Sequence, residues 1–254
     1  MQVPHRPPVL VVQHLEPEGP ALIADALEHV EQPIDVVRVD LGQPLPHDLT
    51  GHCGLVVMGG PMSARSDDGF PTRLQEVELL REAIATSVPT LGVCLGAQLL
   101  AVAGGGTVER TGPPEIGWGE VQLAHAAADD PLFGGPADSI AVLHWHGETF
   151  SLPAGAALLA SSDLYDHQAF RLGDCAWGLQ FHLEVDGGAV RRFVDAFGDA
   201  AEDPDAILRD APEQLGRSEA RRAQVLDRFA ALVAASGGDD GVPGAGAGGP
   251  TLRA

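Results

Sequence analysis

Three residues from two distant stretches of the chain have the types that nucleophilic chemistry needs: Cys94, His182 and Glu184. Cys94 sits in Gly92-Val93-Cys94-Leu95-Gly96, after a short apolar run that begins near Pro89 and before a Leu/Ala-rich segment. The run reads as a buried strand and the segment as a helix, so the cysteine falls at a strand-to-helix junction. Glycine on either side removes the Cβ atoms that would obstruct a sharp turn, and the thiol is expected to be presented rather than buried. At a helix N-terminus it also meets the positive end of the helix dipole and unpaired N–H groups, which favour thiolate over thiol.

A base is available in Gln180-Phe181-His182-Leu183-Glu184. Its alternation suggests a strand running to His182, and a period of two places His182 and Glu184 on one side. An imidazole there can take the thiol proton and later protonate a leaving amine, while the carboxylate orients the ring and supports its cationic form. A lone histidine on an apolar strand is commonly a satisfied structural residue. The pair at a strand end, where open α/β sheets keep their ligands, favours function.

The elements that must hold these groups alternate. Strands are expected at Pro8 to Gln13, Ile34 to Val39, Gly54 to Met58 and from Val88, with helices at Pro20 to Val30 and Thr72 to Ala85. That order is the signature of an α/β fold with a mostly parallel sheet covered on both faces by helices. Gly104-Gly105-Gly106 ends the helix after Cys94, and Pro114-Glu115-Ile116-Gly117-Trp118 opens a strand running to Leu123. Asp186 to Ala196 reads as a closing helix, and Glu219 to Ala234 as an amphipathic one. The apolar stripe of the latter, with Val225, Leu226, Phe229 and Val233, more often packs on its own domain; homodimerisation is the alternative.

Composition narrows the function. A formal charge of −21 over 254 residues disfavours nucleic acid and anionic membrane surfaces as partners. The fifteen basic residues are all arginine, which removes lysine Schiff-base chemistry and Walker-type phosphate loops. The three cysteines, Cys53, Cys94 and Cys175, form no Cys-x-x-Cys pair, so neither a disulfide framework nor a zinc knuckle is suggested. The chain opens without a signal-like segment and has no apolar run of membrane-spanning length, so a cytoplasmic location is expected.

Gly92-Val93-Cys94-Leu95-Gly96-Ala97-Gln98, with Gln180-Phe181-His182-Leu183-Glu184 downstream and Gly59-Gly60-Pro61 upstream, resembles the class I, triad-type glutamine amidotransferase domain. Leu183 stands where that family usually has proline, which leaves histidine and glutamate intact. The resemblance implies a flavodoxin-like domain over residues 1–200; helical spacing and glycine-rich composition beyond it give a helical extension over 201–235 and a disordered tail over 236–254. The resemblance also implies Cys94, His182 and Glu184 as the catalytic triad, and the amides of Gly60 and Leu95 as the oxyanion hole. Gln98, His146, Gly147 and Glu148 are implied to contact the bound glutamine, with Gln168 and Phe170 as supports of its pocket.

His144 and His146 could begin a metal site, but no third ligand of suitable spacing stands near them, so no metal and no cofactor are expected. Ser236-Gly237-Gly238-Asp239-Asp240 weakly resembles a pyrophosphatase loop, yet the glycine-rich sequence after it cannot form the strand, loop and helix such a motif requires. No ammonia-accepting domain is therefore expected in the chain. The reaction implied is hydrolysis of a γ-glutamyl amide through a cysteine thioester, releasing ammonia or an amine, with a separate ammonia-accepting synthetase subunit as a candidate partner. Two alternatives stand beside it: a partner-independent γ-glutamyl peptidase, and a non-catalytic regulatory module of the same fold. A PfpI-like cysteine hydrolase is disfavoured, because it would not carry all three motifs together.

Overall fold

Along the first strand, successive side chains go to opposite faces, and that alternation sets the layers. In the computed structural model, which describes residues 6–136 and 139–237, β1 (Val9–Gln13) turns Val9 and Val11 toward one core and Leu10 and Val12 toward another. There follow α1 (Ala21–His29), β2 (Ile34–Arg38), β3 (Gly54–Val57), α2 (Arg73–Thr86), β4 (Thr90–Val93) and α3 (Leu95–Ala103). The second half supplies β5 (Val108–Glu109), β6 (Glu115–Leu123), β7 (Ser139–His146), β8 (Thr149–Phe150), β9 (Ala157–Ser161), β10 (Ala169–Leu172), β11 (Ala176–Leu179), α4 (Gly187–Phe197) and α5 (Pro204–Ser236).

Nine strands form one mixed sheet in the order β2-β1-β3-β4-β11-β10-β9-β6-β7, and β5 pairs with β8 in a small second sheet. The run from β2 to β11 is parallel, while β10, β9, β6 and β7 extend it by antiparallel pairing. Leu79 and Leu80 of α2 and Leu99 and Leu100 of α3 cover one face. Ile23 and Leu27 of α1 and Val225, Phe229 and Val233 of α5 cover the other. This is the α/β architecture expected from the sequence, with a C-terminal helix added.

The parallel half matters most for the site. Because β1, β3, β4 and β11 are neighbours in that order, the residues just past their C-terminal ends line up along one edge. Those residues are His14, Gly59 with Gly60, Cys94, and Gln180 through His182.

One expectation changes. The helix expected over 219–234 begins fifteen residues earlier, because Asp203 caps it by accepting from the Ala206 amide at 2.9 Å and Pro204 suits the first turn. Pro212 and Gly216, both poor residues for a helix interior, lie within it without ending it. The apolar stripe of α5 is consumed inside the chain, with Val225 and Val233 fully buried, so that stripe offers no surface for dimerisation. Most of the glycine-rich tail, 238–254, lies outside the described residues. No helix among the described residues is long and apolar enough to cross a membrane.

Candidate active site

Cys94 occupies a backbone conformation that side-chain-bearing residues avoid, φ 50° and ψ −103°, between β4 and α3. The flanking glycines make it accessible. A Cβ on Gly92 would lie 2.5 Å from the Gly96 carbonyl oxygen, and one on Gly96 would overlap the carbonyl of Val57 in β3. Gly96→Ala is expected to lower unfolding free energy by about 3 kcal/mol, near the upper end for overpacking, because backbone must move to admit the methyl group. A urea unfolding midpoint equal to that of the wild type would show that α3 is not so tightly seated.

The thiol is less open than the sequence suggests. Cys94 is only 7% exposed, and it reaches solvent through a cavity of about 480 Å³ lined also by Gly60, Leu95, Gln98, His146, Gly147 and Glu148. Met62, Ser63, Arg65, Arg110 and Trp145 complete much of the wall, and none of them was legible as a site residue. The Cys94 amide donates to Leu179 O at 2.8 Å, tying the turn to the adjacent strand, and its Sγ lies 3.7 Å from the Trp145 carbonyl.

His182 does not end a continuous strand. β11 stops at Leu179, and an isolated bridge to β7, with His182 N donating to Leu143 O at 2.8 Å, fixes the histidine instead. Leu183, in place of the usual proline, is buried in the core, so packing supplies the rigidity. His182 Nδ1 lies 2.6 Å from Glu184 Oε1, both side chains are almost wholly buried, and the Phe193 ring meets the imidazole edge-on at 4.8 Å. A carboxylate only accepts, so Nδ1 carries hydrogen and Nε2 is left for the thiol. Burial disfavours the imidazolium, but the Glu184 charge and the nearby Cys94 sulfur outweigh it, and the His182 pKa stands well above its ordinary value.

The pocket residues divide into two groups. Gln98 Nε2 donates to the Glu148 carbonyl and to Gln180 Oε1, each at 3.2 Å, and Ser63 Oγ donates to the Glu148 carboxylate at 2.9 Å. His146 faces the cavity and is braced from behind, with Nδ1 3.0 Å from Glu148 O and Nε2 3.0 Å from Glu115 Oε2. Gln168 and Phe170 do not reach that wall. Gln168 lies behind it, donating to Glu115 Oε2 at 2.5 Å, and Phe170 is wholly buried against Phe150.

The sequence offered no third ligand beside His144 and His146, but β6 brings Glu115 to them, the three ligand atoms lying within 4.8 Å of one another. The Glu115 carboxylate already has donors: Ser162 Oγ at 2.7 Å on Oε1, and Gln168 together with His146 on Oε2. The arrangement is thus a buried hydrogen-bond network bracing the pocket wall.

A second acidic residue escaped the sequence reading. Glu18, 6% exposed, sits where a Gly59 side chain would be and faces His182 and His14. Burial pushes its pKa up to about 7 against the pull of those two histidines. The unfolded carboxyl ionises near 4.5 and the folded one near 7, so the native state binds the extra proton between them and wild-type stability falls as pH rises through that window. Glu18→Gln is expected to gain on the wild type by about 3 kcal/mol between pH ~4 and pH ~8, read from urea unfolding at both; a constant difference would mean that the folded Glu18 carboxyl ionises where the unfolded one does.

Residues 20–195 match the family "Glutamine amidotransferase class-I". The chain is 35% identical over 143 residues to a glutamine-hydrolysing GMP synthase of Porphyromonas gingivalis, covering 56% of this chain and 26% of that protein. It therefore spans about a quarter of that relative's length. It is 31% identical over 161 residues to the glutamine amidotransferase-like protein YfeJ of Salmonella typhimurium, covering 62% of this chain and 67% of that one. Among solved structures, a glutamine amidotransferase from Methylobacillus flagellatus superposes with a TM-score of 0.82 at 34% identity, over 90% of this chain and 96% of that one. With the family match spanning well over half of its residues, the chain belongs to the class I glutamine amidotransferase family.

Proposed function

We propose that this chain hydrolyses a γ-glutamyl amide, glutamine in the first instance, through a thioester on Cys94. His182 Nε2 holds the proton given up by the Cys94 thiol as sulfur attacks the γ-carbonyl, a C–S bond forms, and the carbonyl electrons move onto oxygen. The amides of Gly60 and Leu95 receive that oxyanion. Collapse breaks the C–N bond, His182 returns the proton to nitrogen, and ammonia leaves. Water, deprotonated by the same imidazole, then attacks the thioester; the C–S bond breaks, the thiol regains its proton and glutamate departs. Glu184 holds the ring in the productive tautomer throughout. Gln98, His146, Gly147 and Glu148 hold the glutamyl portion, with Gln168 and Phe170 supporting them from behind. These steps call on no metal or cofactor.

One observation carries the reading: a strained cysteine and a buried His–Glu pair stand at the C-terminal ends of adjacent parallel strands, in a chain of this family. The glutamine-hydrolysing designation of the Porphyromonas gingivalis relative supports glutamine as the donor, and a separate ammonia-accepting synthetase is the partner this implies. Arg65 and Arg110 on the cavity wall favour a second reading, a γ-glutamyl conjugate whose leaving group bears a carboxylate. Ammonia release from glutamine and amine release from γ-glutamyl peptides, measured on the isolated chain, decide between them. Higher kcat/KM on the peptides assigns the peptidase reading. No turnover of either, with Cys94 alkylated no faster than Cys53 or Cys175, sinks both in favour of a non-catalytic module.

A further inference from the structure

A second buried histidine–glutamate pair lies behind the oxyanion loop, outside the wall of the cavity that Cys94 lines. His14, one residue past β1, has Nδ1 2.9 Å from the Gly59 carbonyl oxygen and Nε2 2.7 Å from Glu76 Oε2 of α2. Both side chains are fully buried, and Glu76 Oε1 accepts in turn from Thr72 Oγ1 at 2.6 Å. The carbonyl can only accept, so Nδ1 carries a hydrogen; Nε2 faces a carboxylate and shares a proton with it. Burying such a pair is costly, and its retention calls for an account of what it holds.

What it holds is one peptide plane. The Gly59 carbonyl and the Gly60 N–H belong to the same trans unit, in which the two bonds point in opposite directions. With the carbonyl fixed toward His14, the Gly60 N–H is aimed the other way, toward the cavity that Gly60 and Cys94 both line. That N–H has no acceptor among the described residues. The loop cannot easily tilt, because a Cβ on Gly60 would stand 3.0 Å from His14 Cβ and 2.8 Å from Leu95 Cδ2. A charge-assisted hydrogen bond to the carbonyl also polarises the amide it belongs to, strengthening the N–H as a donor.

We propose that His14, held by Glu76, is a positioning residue that orients the Gly59–Gly60 peptide so that its N–H receives the oxyanion. This rests on the thioester reading above, in which Gly60 is one of the two oxyanion donors. His14 touches no reacting atom and acts through the peptide alone. Glu18 from the 3₁₀ turn Glu16–Glu18 is the other charged group that faces it.

Two amide substitutions separate positioning from packing. His14→Asn places its Nδ2 donor near the former Nδ1 and keeps the bond to Gly59 while giving up Glu76. His14→Gln reaches Glu76 and gives up Gly59. The readouts are kcat and KM for glutamine, inhibition by glutamate γ-semialdehyde, which adds to the thiol as a tetrahedral hemithioacetal, and the iodoacetamide alkylation rate of Cys94. His14→Gln is expected to lose about 10- to 100-fold in kcat and in aldehyde affinity, less than the 10²–10³ of deleting a donor outright, with KM and alkylation unchanged. His14→Asn is expected to recover most of that loss. Equal losses in the two variants, a loss in His14→Asn alone, a loss that falls equally on alkylation, or no loss in either overturns the proposal. Wild-type protein that neither hydrolyses glutamine nor binds the aldehyde would instead refute the thioester reading, before any variant is made.

Discussion

Replacing Cys94 with alanine is expected to abolish glutamine hydrolysis, by on the order of 10⁵-fold in kcat, while leaving the chain folded. No other thiol can substitute. Cys53 is buried beside Gln32 and Pro7, and Cys175 lies before β11, at the N-terminal end of the strand whose other end leads to His182. The same position predicts an opposite effect on stability. With φ at 50°, Cys94 holds strain that glycine would not, so Cys94→Gly is expected to exceed Cys94→Ala in stability by about 1 kcal/mol and to be equally inactive. Residual turnover above about a tenth of wild type in the alanine variant would remove cysteine from the chemistry. Equal stability of the two variants would mean that the turn relaxes once the sulfur is gone.

Removing the base gives the second large effect. His182→Gln is expected to cost about 10² to 10⁴ in kcat, the usual range for a positioned general acid–base, with KM moved far less. Glu184→Gln acts through the ring tautomer and belongs in the same range. The raised His182 pKa also fixes a sign for stability. The folded imidazole keeps its proton at pH values where the unfolded one, with an ordinary pKa of 6.5, has lost it. The stabilisation from this linkage is therefore fully present below pH 6.5 and is lost as pH rises toward the folded value. Wild type should lose ground to His182→Gln with rising pH above that point. A pH-independent difference in unfolding free energy would show that the His–Glu pair is not ionised in the native protein.

The parts of this site that were legible in the sequence are those in which local geometry demands particular residues. Gly92 and Gly96 announce a turn because no other residue clears the Gly96 and Val57 carbonyls, and His182 with Glu184 are two residues apart. Strand order then does the rest, since β3, β4 and β11 are neighbours. What was missed consists of pairs that only tertiary packing creates. His14 meets Glu76 across 62 residues and Gln168 meets Glu115 across 53, separations over which no local pattern links the partners. Gln168 and Phe170, read as supports of the pocket, stand behind its wall and not on it, Gln168 just before β10 and Phe170 within it. Arg65 and Arg110 stand in loops, where periodicity gives no face to read.

The central claim is covalent, and the most direct measurement is an acid-quenched mass spectrum of the intact chain taken during turnover with glutamine. The account predicts a fraction of protein carrying one glutamyl group, mapped to Cys94 and absent from Cys94→Ala. Continued ammonia release from the alanine variant, or a glutamyl group mapped to Cys53 or Cys175, would contradict it.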